Sequence, residues 1–527
     1  MSKLHKLFLT VTAGALMYGA SQPAYAQDVN PVTENLIISE ICYNPYGTDN
    51  LSESEWCELY NRGATTLDLS GYSFKSTAGS NPPVYTFATG TQIAPGDYLV
   101  LAPVKRNILG VLQQRLDPDK VIDLAWPLNA SHFTNGSGKL QVFDTDGVTT
   151  VAEVNFKTSA PWPGGSGPDT PNSTGRSIEL DLFDLPAGDP SAYMNDGSNW
   201  TTSDGIYGSP GRANSAGNTN GLTITGGNRA KEFPTSSDSI TITGDVTTSA
   251  GSVTSASIFV NTTGGSAYTT TALTLDGSGN FTFNLGTLPS GTMVKYYIQA
   301  TDNRGFVKTW PIMPPQVFFV DDNPVSTGDV IINEILFNPA GGDNSTNSEF
   351  VEIYNNRATP VNLSYFQWGR YVYLPSGVPD PYLSAIPEGT ILPGNGYLVL
   401  AADKDLFLST HPGFDTNLVV GSGWLQSALA NGGAPVDQPV PLVNVNAAEW
   451  GGSPTVPFET VAYEVGTDGW PGGGTDTTAD ADGESIELLS PTLDRNVGSN
   501  WRVAVAPNFE SPGAPNTVSE VSDWTMY

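Results

Sequence analysis

Residues 35–61 read NLIISEICYNPYGTDNLSESEWCELYN, and residues 329–355 read DVIINEILFNPAGGDNSTNSEFVEIYN. The two stretches align without a gap, so that Glu40 matches Glu334. Each contains short runs rich in β-branched and aromatic residues, separated by Asn-Pro, Gly and Asp-Asn turn signals. Such runs predict short strands joined by turns, and their repetition indicates a duplicated β domain.

The similarity between the two stretches continues downstream in the same order. A Pro-Gly turn before Tyr-Leu-Val-Leu-Ala, a Trp-Pro pair, a Ser-Ile-Glu-Leu run, an Asn-Trp pair and a closing Ser-Pro-Gly with a later Asn all occur twice. The spacing drifts only between these blocks, as expected if insertions lie in surface loops. The sequence therefore predicts one domain over 35–217 and its duplicate over 329–517, followed by a short tail over 518–527.

A third unit, over 221–321, lies between the repeats. Apolar residues alternate with polar ones in several of its segments, which is the period of half-buried strands. Asp276–Asn280 (DGSGN) predicts a hairpin turn between two of these strands. Several strands in about 100 residues favour a small sandwich. The predicted fold class is thus all-β, with three immunoglobulin-like β-sandwich domains in tandem.

The first 26 residues have the pattern of a secretory signal peptide. Lys3 and Lys6 precede an apolar stretch over 7–20, and small residues end at Ala26, so cleavage is expected before Gln27. No later run reaches the ~18 apolar residues of a spanning helix. We expect an exported protein of the extracellular space, cell surface or periplasm, without a membrane span.

The chain is strongly acidic. Its 53 Asp and Glu residues against 22 Lys and Arg give a formal net charge of −31. Removal of the signal peptide takes away two lysines and no acidic residue, so the net charge of the mature chain is more negative by two. A field of this sign repels phosphate backbones and anionic membranes. We therefore expect no nucleic-acid partner.

The recurring motifs resemble those of the lamin tail domain as it occurs in bacterial secreted proteins. They are Ile-Ser/Asn-Glu-Ile, Asn-Pro, Glu-Leu/Ile-Tyr-Asn, Leu-Ser, a Pro-Gly turn before Tyr, and the closing Ser-Pro-Gly with Asn. The resemblance covers both repeats and implies an immunoglobulin-like sandwich in an accessory module of adhesion or surface attachment. The middle unit, which ends with VKYYIQATDNRG (residues 294–305), looks like an immunoglobulin or fibronectin-type module.

Three glutamates of the first repeat recur in the second. Paired carboxylates can catalyse glycoside hydrolysis, and they can also bind Ca²⁺. The alternative is structural: a strand carboxylate holds a neighbouring loop by hydrogen bonds. A duplicated fold determinant is expected after domain duplication, so the structural interpretation is favoured. The residues are Glu40, Glu58 and Glu179, matched by Glu334, Glu352 and Glu487.

Acidic turns are candidate Ca²⁺ sites. Asp144 and Asp146 precede a glycine, as do Asp480 and Asp482, with Asp476 close to the second pair. Alternating carboxylates before a glycine are used by EF-hand loops, but neither turn has the downstream Glu of an EF-hand. The same pattern forms ordinary hairpin turns, so both interpretations stay open.

Two cysteines, Cys42 and Cys57, are present in the chain. Both lie in predicted strands, and export permits a disulfide between them. Side-chain alternation argues against it, because Cys42 shares a face with Glu40 whereas Cys57 shares one with Leu59. The sequence leaves a bridge and two buried free thiols open, with the bridge slightly favoured.

Catalytic motifs are missing from the sequence. Outside the signal peptide the histidines are His132 and His411, neither with a ligand-type companion at metal spacing, and a lone loop histidine is expected to be solvated. We therefore expect a non-enzymatic binding, adhesion or structural protein of the envelope or extracellular space, without a certain cofactor. A cell-surface glycan or protein is the expected partner. The alternative is an accessory or uncommon extracellular hydrolase acting on polysaccharide or nucleic acid.

Overall fold

The computed structural model describes most of the chain between residues 30 and 517. The predicted signal peptide with its cleavage site at Ala26 and Gln27, the acidic residues Asp476, Asp480 and Asp482, and the predicted tail lie outside the described residues. The described residues are 30–45, 55–77, 83–105, 108–109, 112, 115–126, 133, 135–163, 175–216, 221–339, 349–369, 383–421, 429, 440–448, 457–463, 469–471, 483–504 and 510–517.

In the described residues, the first unit consists of short strands and short helices. Its strands are β1 (Leu36–Cys42), β2 (Trp56–Asn61), β3 (Leu67–Asp68), β4 (Ser73–Ser76), β5 (Tyr85–Thr86), β6 (Gln92–Ile93), β7 (Tyr98–Ala102), β8 (Val121–Asp123), β9 (Ser137–Phe143), β10 (Thr150–Lys157), β11 (Arg176–Leu180) and β12 (Trp200–Ile206). Its helices are α1 (Pro31–Asn35) and α2 (Ser191–Met194).

Two main sheets form the sandwich of the first unit. One has six strands in the order β12-β11-β1-β2-β7-β8, and the other has four in the order β10-β9-β4-β5. β7 and β8 run parallel, whereas the other neighbours in these sheets are antiparallel. Every residue of β1 is buried, because one face packs on the main core and the other is covered by loops. A two-stranded ladder of β3 and β6 completes the unit.

The middle unit is a smaller sandwich. Its three-stranded sheet has the order β13-β14-β17, and its other sheet has the order β16-β15-β18-β19, with β20 also paired to β18. Its strands are β13 (Leu222–Arg229), β14 (Ile240–Thr248), β15 (Val253–Asn261), β16 (Thr269–Ala272), β17 (Asn280–Gly286), β18 (Thr292–Asp302), β19 (Val307–Trp310) and β20 (Gln316–Val320).

The third unit repeats the strand order of the first. Its main sheet runs β28-β27-β22-β21-β31-β32, its second sheet β25-β24-β29-β30, and β23 pairs with β26. Its strands are β21 (Val330–Leu336), β22 (Phe350–Asn355), β23 (Val361–Asn362), β24 (Gln367–Gly369), β25 (Leu383–Ala385), β26 (Ile391–Leu392), β27 (Tyr397–Ala401), β28 (Val419–Gly421), β29 (Val440–Val443), β30 (Glu459–Val461), β31 (Ile486–Leu488) and β32 (Trp501–Val503). Its helices are α3 (Lys404–Thr410) and α4 (Val445–Ala448).

The predicted fold class is confirmed. The described chain is nearly all β, and its strands form separate sheets that pack as tandem immunoglobulin-like sandwiches. Each unit has its own apolar core between its sheets. None of the helices in the described part of the chain is long and apolar enough to cross a membrane.

The disulfide considered between Cys42 and Cys57 is not formed. Both residues are fully buried free thiols. Cys57 pairs across the ladder with Ile41 and lies in the main core, whereas Cys42 packs with Trp56 in a second cluster on the other face of the sheet. Side-chain alternation therefore decides the question, because thiols on opposite faces of a sheet cannot meet.

The units contact one another through specific hydrogen bonds. The Asn446 side chain in α4 accepts a bond from the Phe319 N–H at 2.7 Å and donates to the Phe319 carbonyl at 2.8 Å. Phe319 also packs in the core of the third unit. Between the first two units, Lys308 forms an ion pair with Asp204.

Candidate functional site

The three recurring glutamates of the first unit lie side by side on neighbouring strands. Glu40 on β1 is directly opposite Glu58 on β2 and Glu179 on β11. A β-bulge at Ser39 shifts the register of β1 and so aligns Glu40 with Glu58. All three side chains are fully buried. We call Glu40, Glu58 and Glu179 the first carboxylate row.

The first carboxylate row binds the chain that follows β12, residues 207–216, which we call the first closing loop. Glu40 accepts hydrogen bonds from the Ser209 N–H at 2.9 Å and from the Ser209 hydroxyl at 3.0 Å. Glu58 accepts a bond from the Gly211 N–H at 2.7 Å. The carboxylates thus satisfy backbone donors that a buried loop would otherwise leave unpaired.

Glu179 holds the end of the same loop. It accepts bonds from the Ser215 N–H at 3.0 Å and the Ala216 N–H at 2.6 Å. Asn214 adds a bond from its side-chain amide to the Leu180 carbonyl at 2.8 Å. The Ser and Gly of the Ser-Pro-Gly motif therefore contact the carboxylate row, and the Asn of the motif binds the strands beside the row through backbone carbonyls.

The third unit, which contains the second copy of the repeat, has the same arrangement. Glu334 is opposite both Glu352 and Glu487, and the three form the second carboxylate row. Residues 510–517 are the second closing loop. Its Ser511 N–H donates to Glu334 at 3.0 Å and its Gly513 N–H donates to Glu352 at 2.5 Å. The Thr517 hydroxyl donates to Glu487 at 2.6 Å.

Gly208 allows the first closing loop to approach the carboxylates. Its φ of +67° lies in the left-handed region, which favours glycine. A Cβ atom at this position would lie 1.8 Å from Glu40 Oε1 and 2.1 Å from Ser177 Oγ. No side chain fits there, so a glycine is required beside the row.

Burial raises the pKa values of Glu40, Glu58 and Glu179 in the first row and of Glu334 and Glu352 in the second. Desolvation, followed by repulsion from Glu179 and Glu58, raises the pKa of Glu40 well above its usual range. Desolvation raises the pKa of Glu58 to about 8 and that of Glu334 to about 8. Adjacent buried carboxylates cannot all carry charge, because each destabilises the others in a medium of low dielectric constant. The rows therefore hold protons near neutral pH.

The Ser209 hydroxyl gives independent geometric support for a bound proton. Its oxygen lies 3.0 Å from Glu40 Oε2 and 2.9 Å from Glu179 Oε1. A hydroxyl has a single hydrogen and can donate to only one of them. The other contact is a hydrogen bond only when that carboxyl group is protonated. Ser511 has the same pair of contacts, with Glu334 and Glu487.

The row geometry favours the structural interpretation over catalysis. A glycoside hydrolase needs its two carboxyl groups on either side of a substrate, with water able to enter. Here the carboxyl groups lie on adjacent strands and the closing loop occupies the space above them. The substrate position is thus filled by the protein's own backbone.

The acidic turn over 144–147 uses its carboxylates within the turn. Asp146 accepts bonds from the Val148 and Thr149 N–H groups, both at 2.8 Å. Asp144 accepts a bond from the Asn30 side chain at 2.7 Å. Within the described ranges, no group of three or more His, Cys, Asp or Glu side chains is arranged to hold a metal ion. Calcium binding at the acidic turns stays a prediction.

His411 is not the solvated loop residue that the sequence suggests. Its ring stacks on Phe407 with centroids 4.1 Å apart, its Nε2 lies 2.8 Å from Glu510, and its Nδ1 lies 2.8 Å from the Phe407 carbonyl oxygen. Burial is the largest single effect on the pKa of His411 and lowers it. The hydrogen bond to Glu510, the negative charges of Glu510 and Glu334 and the bond to the Phe407 carbonyl together outweigh burial, so the net pKa is raised. Glu510 belongs to the second closing loop, so this pair attaches the loop to α3. The sequence separation hides the pairing from pattern analysis.

A cavity of about 1180 Å³ lies where the three units meet. The first unit contributes Arg115 and Arg212, the middle unit Tyr297 and Lys308, and the third unit Glu388. Sequence analysis missed this cavity because its walls come from three domains whose mutual arrangement leaves no local pattern.

The family comparison agrees with the repeated fold. Residues 30–158 and 323–448 match the model of the lamin tail domain family. The two outer units contain lamin tail domains. The lamin tail domain is a non-enzymatic immunoglobulin-like domain. Both matches end before the strands that carry Glu179 and Glu487, so β11 and β12 in the first unit, and β31 and β32 in the third, extend the matched domain.

Comparison with other proteins adds little. The search of curated proteins returned no match. A tetra-tandem repeat from the extending region of a large adhesion protein is 10% identical with a TM-score of 0.15, over 69% of this chain and 65% of that one. A structure from a 1.5-MDa bacterial ice-binding adhesin is 9% identical with a TM-score of 0.13, over 63% of this chain and 80% of that one. Salmonella alpha-2-macroglobulin reacted with methylamine is 10% identical with a TM-score of 0.17, over 66% of this chain and 24% of that one. These scores support no argument about function.

Proposed function

We propose that the protein is an exported, non-enzymatic binding or structural protein of the bacterial envelope or extracellular space, with a role in adhesion or surface attachment. The supporting observation is the use of its recurring carboxylates. All six are buried, and the two rows bind backbone N–H groups and hydroxyls of the closing loops. The strongest catalytic candidates of the sequence are therefore fold determinants.

The contacts between the units also suit a binding protein. Asn446 joins the third unit to the middle unit through both backbone groups of Phe319. The ion pair of Lys308 and Asp204 joins the middle unit to the first. A chain of sandwiches joined by such contacts presents surfaces from several neighbouring domains, which suits a binding protein.

The test is retention on envelopes together with an assay for hydrolysis. Purified mature protein is incubated with whole cells and envelope fractions, and bound protein is quantified against concentration. The same preparation is incubated with a panel of polysaccharides, and new reducing ends are measured. We expect saturable retention and no release of reducing ends.

A matched variant separates the alternative hydrolase from the proposed function. Glu58→Gln keeps the shape of a protonated carboxyl group but removes its acid–base chemistry. Reducing ends that appear with the wild-type protein and disappear with Glu58→Gln would establish a hydrolase and overturn the proposal. Absence of saturable retention on every envelope fraction would equally count against a binding role.

A further inference from the structure

The cavity at the junction of the three units has the polar lining of a ligand site. Its volume of about 1180 Å³ exceeds that of most small-molecule pockets, which are about 300–1,000 Å³. Several side chains that line it can form hydrogen bonds to a ligand. They include Ser266 and Gln299 from the middle unit.

Positive charge is concentrated in this cavity, in contrast to the rest of the chain. Acids outnumber bases by 53 to 22 over the whole sequence. Around the cavity the balance reverses, because its basic residues outnumber its acidic ones. The basic residues are Arg115, Arg212, Lys295 and Lys308, and the acidic ones are Asp117 and Glu388. Lys295 is ion-paired with Glu388 and Lys308 with Asp204, so the positive excess of the lining comes from its two arginines.

Arg212 is the cationic group that retains capacity for a ligand. Its Nη2 donates to the Arg115 carbonyl at 2.6 Å and to the Pro314 carbonyl at 3.2 Å. Within the described part of the chain, no carboxylate forms an ion pair with it. By contrast, Lys295 is paired with Glu388 at 2.8 Å. A guanidinium held in place by carbonyls and without an anion is suited to bind a carboxylate.

Two tyrosines provide an aromatic surface beside this guanidinium. Tyr297 stacks on Phe259 with centroids 4.4 Å apart and meets Tyr268 edge-on at 5.2 Å. Tyr268 and Tyr297 are half-buried and line the same cavity as Arg212. Tyrosine offers an apolar ring and a polar hydroxyl, which is the combination that a sugar ring with its C–H face and hydroxyl groups requires.

We propose that this cavity binds an acidic oligosaccharide, with a uronic-acid carboxylate at Arg212 and a sugar ring against Tyr297. The proposal deepens the proposed function, on which it rests, by naming the class of ligand. A long polyanion such as nucleic acid is disfavoured, because the acidic surface beyond the cavity repels its remaining charges. A short saccharide places only a few charges inside the positive region and exposes hydroxyls to the polar walls.

The test is calorimetric titration of the full mature protein with trisaccharides of galacturonic, glucuronic and mannuronic acid. The methyl ester of each trisaccharide keeps the rings and removes the charge. We expect at least one acid to bind and its ester to bind at least tenfold more weakly. Equal binding of acid and ester would overturn the role of charge, and failure of all three acids to bind would overturn the proposal.

Variants locate the site. Arg212→Met and Tyr297→Ala should each weaken binding at least tenfold, whereas Tyr297→Phe, which keeps the ring, should bind within threefold of the wild-type protein. Arg502→Met and Tyr354→Ala are controls, because both residues lie outside the cavity. Arg502 is exposed, and Tyr354 is a half-buried tyrosine whose ring centroid lies 4.9 Å from that of Tyr397. Unchanged binding in both cavity variants would place the ligand elsewhere and overturn the assignment.

The outcomes of this test are separable from those of the proposed function. Thermal unfolding of each variant shows whether the junction still folds. If Arg212→Met does not fold, the comparison of Tyr297→Ala with Tyr297→Phe still tests the site. Envelope retention that persists without binding of any acidic trisaccharide would leave the binding role intact and remove the cavity as its site. Loss of retention in Tyr297→Ala, with retention in Tyr354→Ala, would connect the two.

Discussion

Gly208 is the single residue on which the approach of the first closing loop depends most. We expect Gly208→Ala to lower the free energy of unfolding by about 2–5 kcal/mol, because left-handed backbone costs about 1–2 kcal/mol and a steric clash in a packed site about 1–3 kcal/mol more. Gly90 is the matched control: its φ is +89° and nothing lies within 4 Å of an added Cβ. Calorimetric unfolding should show Gly90→Ala losing only the backbone contribution. Equal losses in the two variants would mean that the loop is not packed on Glu40.

The two cysteines give a second test at the scale of single residues. Burial raises the pKa values of both thiols well above the usual range, which makes them unreactive in the folded protein. We expect a thiol reagent at pH 8 to modify neither residue in the native state. After denaturation without reductant, it should modify two thiols per molecule. A count of zero after denaturation would show that Cys42 and Cys57 are bridged.

At the scale of strands, the carboxylate rows make stability depend on pH. The pKa values of Glu58 and Glu334 are raised to about 8, against about 4.3 in an unfolded chain. Between these values the folded protein holds protons that the unfolded chain has released. The stabilisation is thus full below the unfolded pKa and is lost as the pH rises through about 8, by up to about 1.4 kcal/mol per pH unit for each group.

The expected result is a melting temperature that falls between pH 5.5 and pH 8.5. Glu58→Gln replaces the titrating group by a neutral one of similar shape, so the fall should be shallower in that variant. His411 contributes with the same sign, since its pKa is also raised. Two results would contradict the conclusion that folding disfavours the ionised form of the carboxyl groups in the rows. One is a melting temperature that rises over this pH interval, and the other is a dependence of melting temperature on pH that Glu58→Gln leaves unchanged.

Strand-level features differ in how far the sequence predicts them. Alternating and repeated motifs predicted the all-β fold, the duplication and the structural use of Glu40 and Glu334. The alignment of each row depends on a β-bulge, at Ser39 in the first unit, which has no clear sequence signal. Contacts with the closing loop join residues far apart in the chain, such as Glu40 and Ser209, and follow from tertiary packing alone.

The cavity belongs to the scale of the whole molecule and is the feature least accessible to sequence analysis. Arg212, Tyr297 and Glu388 belong to three different units and meet only after those units have packed together. In the sequence Arg212 is one more basic residue in an acidic chain, and Tyr297 continues an ordinary strand. Domain arrangement, rather than any motif, gives these residues a common environment.

The charge of the whole molecule leads to a prediction about cations. A net charge of −31 disfavours the compact state through self-repulsion, and a divalent ion bound at an acidic turn would offset it. We expect millimolar Ca²⁺ to raise the melting temperature more than NaCl of equal ionic strength, and EDTA to abolish the difference. Asp480→Asn/Asp482→Asn should remove the effect if that turn binds the ion. Asp144→Asn/Asp146→Asn is the comparison for the other turn. Equal responses to Ca²⁺ and NaCl would reduce the effect to screening, which acts without a site.

The central claim is that the recurring carboxylates hold the closing loops and so complete the outer domains. Hydrogen exchange of the peptide over 207–216 tests it most directly, because Ser209, Gly211, Ser215 and Ala216 donate their amide hydrogens to the row. We predict that these amides are protected in the wild-type protein, and that Glu179→Ala lowers the protection over 207–216 while the peptide over 510–517 keeps it. Rapid exchange over 207–216 in the wild-type protein, or protection that Glu179→Ala leaves unchanged, would contradict the claim.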